Sequence, residues 1–207
     1  MIDYFLFSHA FLGGIALLFG LVALVTRKGS KTHKFGGKVF FWSMLVSGLI
    51  AMVISWLPDH TSPFLFAIGV FSLYLISSGY LAIRYKKPHV NLTFDRVLSL
   101  LMAITALGMI LTPVILSNEL NIVLLVFGAI GLTLSIQDLR TYSKPDQLRQ
   151  KWLQAHLGKM VGGYIAAVTA FVVVNEVLPS LVAWLAPTVI GTTFIIYWTR
   201  KVSKTKI

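Results

Sequence analysis

The chain has 207 residues, of which 57% are hydrophobic and 12% charged, and its mean hydropathy is +0.82. This composition excludes an ordinary soluble domain, and the absence of cysteine excludes disulfides, thiolate metal sites and cysteine nucleophiles. A net charge of +11 fits either nucleic-acid binding or the cytoplasmic loops of a membrane protein. Because no zinc finger, stacking aromatic motif or soluble basic face is present, nucleic acid is not an expected partner.

Seven apolar windows follow one another along the chain, and most are long enough to cross about 30 Å of hydrocarbon as helices. The windows cover residues 4–25, 39–56, 63–83, 97–116, 121–136, 157–177 and 181–198, the fifth being the shortest. Continuous apolar runs of this length exclude the alternating strands of a membrane barrel. The sequence therefore predicts an all-α integral membrane bundle of about seven transmembrane helices, forming a single domain over residues 1–207.

The distribution of charge predicts the orientation of the bundle. All 18 lysines and arginines lie in segments 27–38, 84–96, 140–159 and 200–206, which alternate with loops that carry acidic residues but no cation. The positive-inside rule places the basic segments in the cytoplasm and the N-terminus outside. The bilayer is the expected partner, with attraction to anionic lipids at the cytoplasmic face worth about 1 kcal/mol per cation.

Two histidines lie in or beside the first apolar window. His9, on the predicted outer side, needs a partner in apolar surroundings, which is either a functional ligand or a single hydrogen bond to a backbone carbonyl or a hydroxyl. His33 lies in a glycine-rich basic loop, where it is either a ligand or a solvated side chain. Since roughly 25 Å of helix separates His9 from the inner side, one metal site cannot contain both.

The sixth window begins beside the third notable histidine. His156, Met160 and Tyr164 share one face of the predicted helix, so His156 is either a ligand or proton carrier, or an interfacial residue with Met160 as packing. Asp138 is either a partner that orients His33 or His156, or one member of a weak ion pair with Arg140 or Lys159. The remaining histidines are expected to be solvated in loops, namely His60 and His89.

Several segments together resemble the bacterial multi-pass membrane proteins grouped as domain of unknown function 2306, over nearly the whole chain. The resemblance rests on an early-helix histidine, the motif KG-x3-H-K-x-G, the segment DLRTY and the segment H-x3-M with its TAF continuation. The matching positions are His9, Lys28, Gly29, His33, Lys34, Gly36, Asp138, Arg140, His156, Met160 and Thr169. The resemblance implies a multi-pass protein of the bacterial cytoplasmic membrane with no established activity, and it favours functional roles for the histidines within these motifs.

Two classes of function agree with this pattern, and the sequence assigns no reaction. The favoured interpretation is a redox protein that binds haem b or a divalent metal, with His33 and His156 as tentative ligands and His9, Asp138 and Met160 as further cofactor-binding residues. The alternative is a transporter of small solutes or protons, or a structural or assembly subunit that forms a helix–helix oligomer or joins a larger membrane complex.

Overall fold

The computed structural model describes residues 2–204, without the side chains of residues 117 and 202–204, and all regular elements in that range are helical. The helices are α1 Ile2–Val25, α2 Lys31–Ile54, α3 Pro63–Leu81, α4 Thr93–Ser117, α5 Ile122–Tyr142, α6 Pro145–Val174 and α7 Ser180–Lys204, and a 3₁₀ turn, Ala82–Lys86, extends α3. All seven are long and apolar enough to cross a membrane. The predicted all-α bundle of seven membrane helices is confirmed.

Short turns join the helices, so consecutive helices alternate in direction. The turns at residues 26–30, 87–92 and 143–144 lie at one end of the bundle with the last turns of α7, and we call this the basic end. The turns at residues 55–62, 118–121 and 175–179 lie at the opposite, acidic end. Lys206 of the predicted basic tail lies outside the described residues.

The helices at the basic end are longer than the apolar windows. His33 belongs to the first turn of α2, where its backbone N–H donates to the N-cap side chain of Ser30 at 3.1 Å, so the prediction of a loop at this residue was wrong. α6 begins at Pro145, twelve residues before the predicted window at 157. The hydropathy windows did not include these terminal turns of α2 and α6 because the turns contain polar residues. Such residues are tolerated at helix ends, where they reach the headgroups or face other helices.

The helices α3 and α6 form the centre of the bundle. α3 packs against α2, α4 and α6, while α6 also packs against α7 and α1. Ring contacts help to hold these layers together, including Phe41 stacked on Tyr80 at 4.0 Å and Phe71 edge-to-face with Phe127 at 5.3 Å. The outer helices expose large apolar side chains that contact the lipid bilayer, such as Phe7, Phe11, Leu18, Ile104, Ile115, Val189 and Ile190.

One helix is partly separated from its neighbours. α5 packs closely along α4 but makes only few contacts with α6 and α7. The resulting gap, which α3 closes from the centre of the bundle, forms the cavity described below.

Candidate functional site

His9 joins α1 to α2 through hydrogen bonds within the membrane-spanning part of the bundle. Its Nδ1 lies 3.0 Å from the carbonyl oxygen of Ser47, to which only a protonated nitrogen can donate, and 2.9 Å from the Ser47 hydroxyl. The Ser47 hydroxyl donates in turn to the carbonyl of His9 at 3.0 Å. The hydrogen bond to a carbonyl or a hydroxyl, which was one of the two predicted alternatives for His9, is therefore present.

His33 and His156 use the same kind of hydrogen bond at the basic end. The Nδ1–H of His33 donates to the carbonyl of Ala23 at 2.9 Å, and that of His156 donates to the carbonyl of Gly79 at 2.8 Å. Both bonds require the proton on Nδ1, which leaves the Nε2 of each ring as an acceptor.

The end of α1 also binds a lysine from the following turn. The Nζ of Lys28 donates to the carbonyls of Leu24 at 2.5 Å and Ala23 at 3.2 Å, and it lies 5.5 Å from the ring centre of Trp198. Partial burial lowers the pKa of Lys28. Part of the basic segment therefore caps α1, because carbonyls at a helix C-terminus lack donors within the helix.

Met160 lies beside His156, whereas Asp138 does not. A Cβ added to Gly79 would lie 3.1 Å from the Cγ of Met160, so Met160 packs near the carbonyl that binds His156. Within residues 2–204, no group of three or more His, Cys, Asp or Glu side chains is placed to hold a metal ion. The exposed residues His60 and His89 lie in turns, as predicted.

Asp138 forms an ion pair with Lys159 inside the bundle. Its Oδ2 accepts from the Nζ of Lys159, from the Tyr74 hydroxyl at 2.7 Å and from the Ser99 hydroxyl at 3.3 Å. The expected role of Asp138 in orienting a histidine is not seen. The alternative pairing with Lys159 is observed, and these side chains are only 13% and 6% exposed, so the pair is buried.

A second polar cluster at the basic end was missed in the sequence. The buried carboxylate of Asp95 accepts from Arg84 at 2.7 Å and from the Tyr85 hydroxyl at 2.7 Å, while the Tyr142 hydroxyl lies 3.2 Å from that of Tyr85. The available signal was the four-residue spacing of Asp95 and Ser99 in α4, which repeats for Asp138 and Tyr142 in α5. This spacing places both members of each pair on one helix face.

A cavity of about 750 Å³ lies between α5, α6 and α7 and reaches α3. Arg140, Lys144 and Lys151 line it at the basic end, and the Asp138–Lys159 pair forms part of its wall. Further inside, the lining becomes mostly apolar, with Phe71, Leu75, Phe127, Ile130, Leu134, Ile165, Ala166 and Thr188. The arrangement thus combines a cationic mouth with an apolar interior. Neither the cavity nor its position was foreseen from the sequence.

The cavity and the three histidines do not form one site. Gln154, Gly158 and Gly162 of α6 line the cavity, whereas His156 and Met160 face α3 from other positions on the same helix. The candidate cavity site and the candidate histidine site therefore lie on different sides of α6.

Comparison with known proteins identifies one family. Residues 6–95 match the family described as predicted membrane protein, DUF2306, and this segment includes His9 and His33 but ends before Asp138 and His156. No curated protein and no solved structure matches the chain. Over residues 6–95 the chain is therefore similar to the predicted membrane proteins of the DUF2306 family, which confirms the family resemblance of its sequence.

Proposed function

We propose that the protein binds an amphipathic anion inside its membrane bundle, in the cavity between α5, α6 and α7. The supporting observation is the lining of the cavity, which contains four cations and one carboxylate at or near its mouth and is apolar further inside. Its volume of about 750 Å³ falls within the usual range of small-molecule sites, about 300–1,000 Å³. The net positive lining selects anions, and the apolar interior accommodates a hydrocarbon tail.

The anionic group of the ligand is assigned to the mouth of the cavity. Lys159 is already paired with Asp138, so binding a second anion there would require breaking a buried ion pair. Arg140, Lys144 and Lys151 are exposed and line the mouth. The tail then extends past the ion pair toward Phe127.

Ligand entry from the bilayer follows from the sparse contact between α5 and α7. Lipid-soluble anions concentrate in the membrane, and a gap between helices gives them a path that avoids water. In this proposal the basic end faces the cytoplasm of a bacterial cell, as the positive-inside rule requires, and the chain forms one membrane domain.

Photolabelling in nanodiscs of zwitterionic lipid tests the site. The probe is a long-chain fatty acid that carries a diazirine in the first half of its chain, with stearate and neutral stearyl alcohol as competitors. We expect labelling at Ile165 and Ile195, which line the cavity, and competition by stearate at lower concentration than by the alcohol. Labelling of the lipid-facing residues Phe7 and Leu18 measures the background, which stearate should not reduce. Labelling at Ile165 and Ile195 that excess stearate leaves unchanged would overturn the proposal.

Charge removal at the mouth provides the matched variants. Lys144→Gln with Lys151→Gln should raise the stearate concentration needed for half competition about tenfold, because each cation near the surface contributes up to about 1 kcal/mol. Lys34→Gln with Lys38→Gln removes two exposed cations from the same end of the bundle but outside the cavity lining. This control should change the competition by less than about twofold.

A second candidate function is the haem or metal protein predicted from the sequence, and the tautomers of His33 and His156 favour it. Metal-binding histidines commonly donate Nδ1–H to a carbonyl and ligate through Nε2, as both rings are arranged to do. His33 and His156 would be the residues that hold a haem iron, since two histidines are fewer than the three or four protein ligands of a zinc site.

Optical spectra of detergent-purified protein from haem-replete cells test this candidate, before and after reduction with dithionite. We expect a Soret band that shifts on reduction and is lost in His33→Ala and in His156→Ala. The exposed residues His60 and His89 supply controls, and their alanine variants should keep the band. A flat spectrum in the unaltered protein would rule out bound haem, and metal analysis of the same sample would then decide whether another metal is present.

A further inference from the structure

Thr188 carries a buried hydroxyl with no hydrogen-bond partner among the described residues. Other threonines in the helices, such as Thr112, Thr133 and Thr169, donate to the carbonyl one turn earlier in the chain. A buried hydroxyl without a partner is costly and therefore rare in folded proteins. Among the residues that the structure describes, only the Nε of Arg84 shares this condition of a buried side-chain polar atom without a partner.

Two features surround the Thr188 hydroxyl: a proline at the preceding position of α7, and the cavity that Thr188 lines. Pro187, inside α7, has no N–H to donate to the carbonyl of Ala183, so the helical hydrogen-bond ladder is interrupted one residue before Thr188. Thr188 also lines the cavity proposed above as a binding site. A molecule in that cavity is therefore positioned to satisfy the hydroxyl.

The depth of Thr188 in the cavity follows from helix geometry. Thr199, which lines the cavity near its mouth, lies eleven residues further along α7, or roughly 16 Å at the helical rise. Ile195 is at the level of Gly158, next to Lys159, since a Cβ on Gly158 would lie 3.8 Å from it. Thr188 is thus nearer the bilayer centre than the ion pair, in the part of the cavity assigned to the tail.

We propose that Thr188 is a specificity-determining residue that donates a hydrogen bond to an oxygen in the ligand's tail. This inference rests on the proposed function and narrows the ligand class to anionic amphiphiles with an acceptor oxygen roughly 16 Å from the charged group. A saturated chain advances about 1.3 Å per carbon, given bonds of about 1.5 Å, so a ketone near the twelfth carbon fits this distance.

Competition against the same photoprobe tests the inference, with stearate and 12-oxostearate as the competing ligands. In the unaltered protein, 12-oxostearate should compete about fivefold better than stearate, as expected for one net hydrogen bond. Thr188→Val keeps the shape of the side chain and removes the hydroxyl, so it should abolish this preference while leaving competition by stearate within about twofold. Thr192→Val, in the same helix and lining the same cavity, should keep the preference.

The outcomes separate this inference from the function on which it rests. If stearate competes but 12-oxostearate does no better, or if Thr188→Val retains the preference, the cavity binds amphiphiles and the role of Thr188 is overturned. A trapped water that satisfies the hydroxyl would give the first of these results. If neither ligand competes for labelling at Ile165 and Ile195, both the proposed function and the inference fail.

Discussion

Replacing Lys159 with methionine is expected to destabilise the folded bundle by about 3–5 kcal/mol, the usual cost of leaving one member of a buried ion pair without its partner. The Lys159 side chain is 6% exposed, and its ammonium group is the cation that neutralises Asp138. Tyr74 and Ser99 still donate to the carboxylate in the variant, but neutral hydroxyls do not balance its charge. The free energy of unfolding in mixed micelles measures the effect.

Two further variants distinguish the ion pair from general damage. Lys159→Met combined with Asp138→Leu removes both charges, so it should recover much of the lost stability, because an apolar replacement of a buried pair is often nearly neutral. Lys151→Met removes an exposed cation from the same helix and should change the free energy of unfolding by no more than about 0.5 kcal/mol. Equal losses in Lys159→Met and Lys151→Met would show that the buried pair contributes nothing specific.

The helices of this fold were predictable because hydropathy is a local property of the chain. A run of about 20 apolar residues must be helical in lipid whatever its neighbours are, so all seven windows correspond to helices. The helix ends were less predictable. In α6 the helix already includes residues 145–156, which precede the apolar window. Many of these residues are polar, and hydropathy alone assigns such a segment to a loop.

The candidate sites depend on contacts between helices, which the sequence does not reveal directly. His9, His33 and His156 were recognised as intramembrane or interfacial polar groups, but their carbonyl partners lie on neighbouring helices. The partner of Asp138 was ambiguous because Arg140 and Lys159 are both within one helical hairpin of it. The packing of the helices places Lys159, rather than Arg140, against the Asp138 carboxylate.

The cavity could not be predicted from the sequence for a related reason. Its lining residues come from α3, α5, α6 and α7, and its volume results from the distance between α5 and α7 rather than from any residue type. Thr188 looks like an ordinary helix threonine in the sequence. Only the combination of a missing intrahelical bond and a position on the cavity wall makes it a candidate specificity residue.

Gly79→Ala is expected to destabilise the bundle by about 1–3 kcal/mol through overpacking where α3 meets α6. The added Cβ would lie 2.9 Å from the Cβ of Lys159 and 2.9 Å from the backbone nitrogen of Met160, distances that require movement of one helix. A side-chain rotation cannot relieve the contact with a backbone atom. The same movement would strain the hydrogen bond from His156 to the Gly79 carbonyl and shift Lys159 relative to Asp138.

Gly108→Ala is the matched control, since the new Cβ on Gly108 in α4 meets no atom within 4 Å. It should leave the free energy of unfolding unchanged or raise it by up to about 1 kcal/mol, because alanine favours the helix and loses less conformational freedom on folding. Unfolding in mixed micelles compares the two variants. Equal stability of Gly79→Ala and Gly108→Ala would mean that α3 and α6 separate at little cost, and the wall that holds the Asp138–Lys159 pair beside the cavity would then not be rigid. A selective loss in Gly79→Ala would instead identify this contact as the support for both the ion pair and the His156 ring.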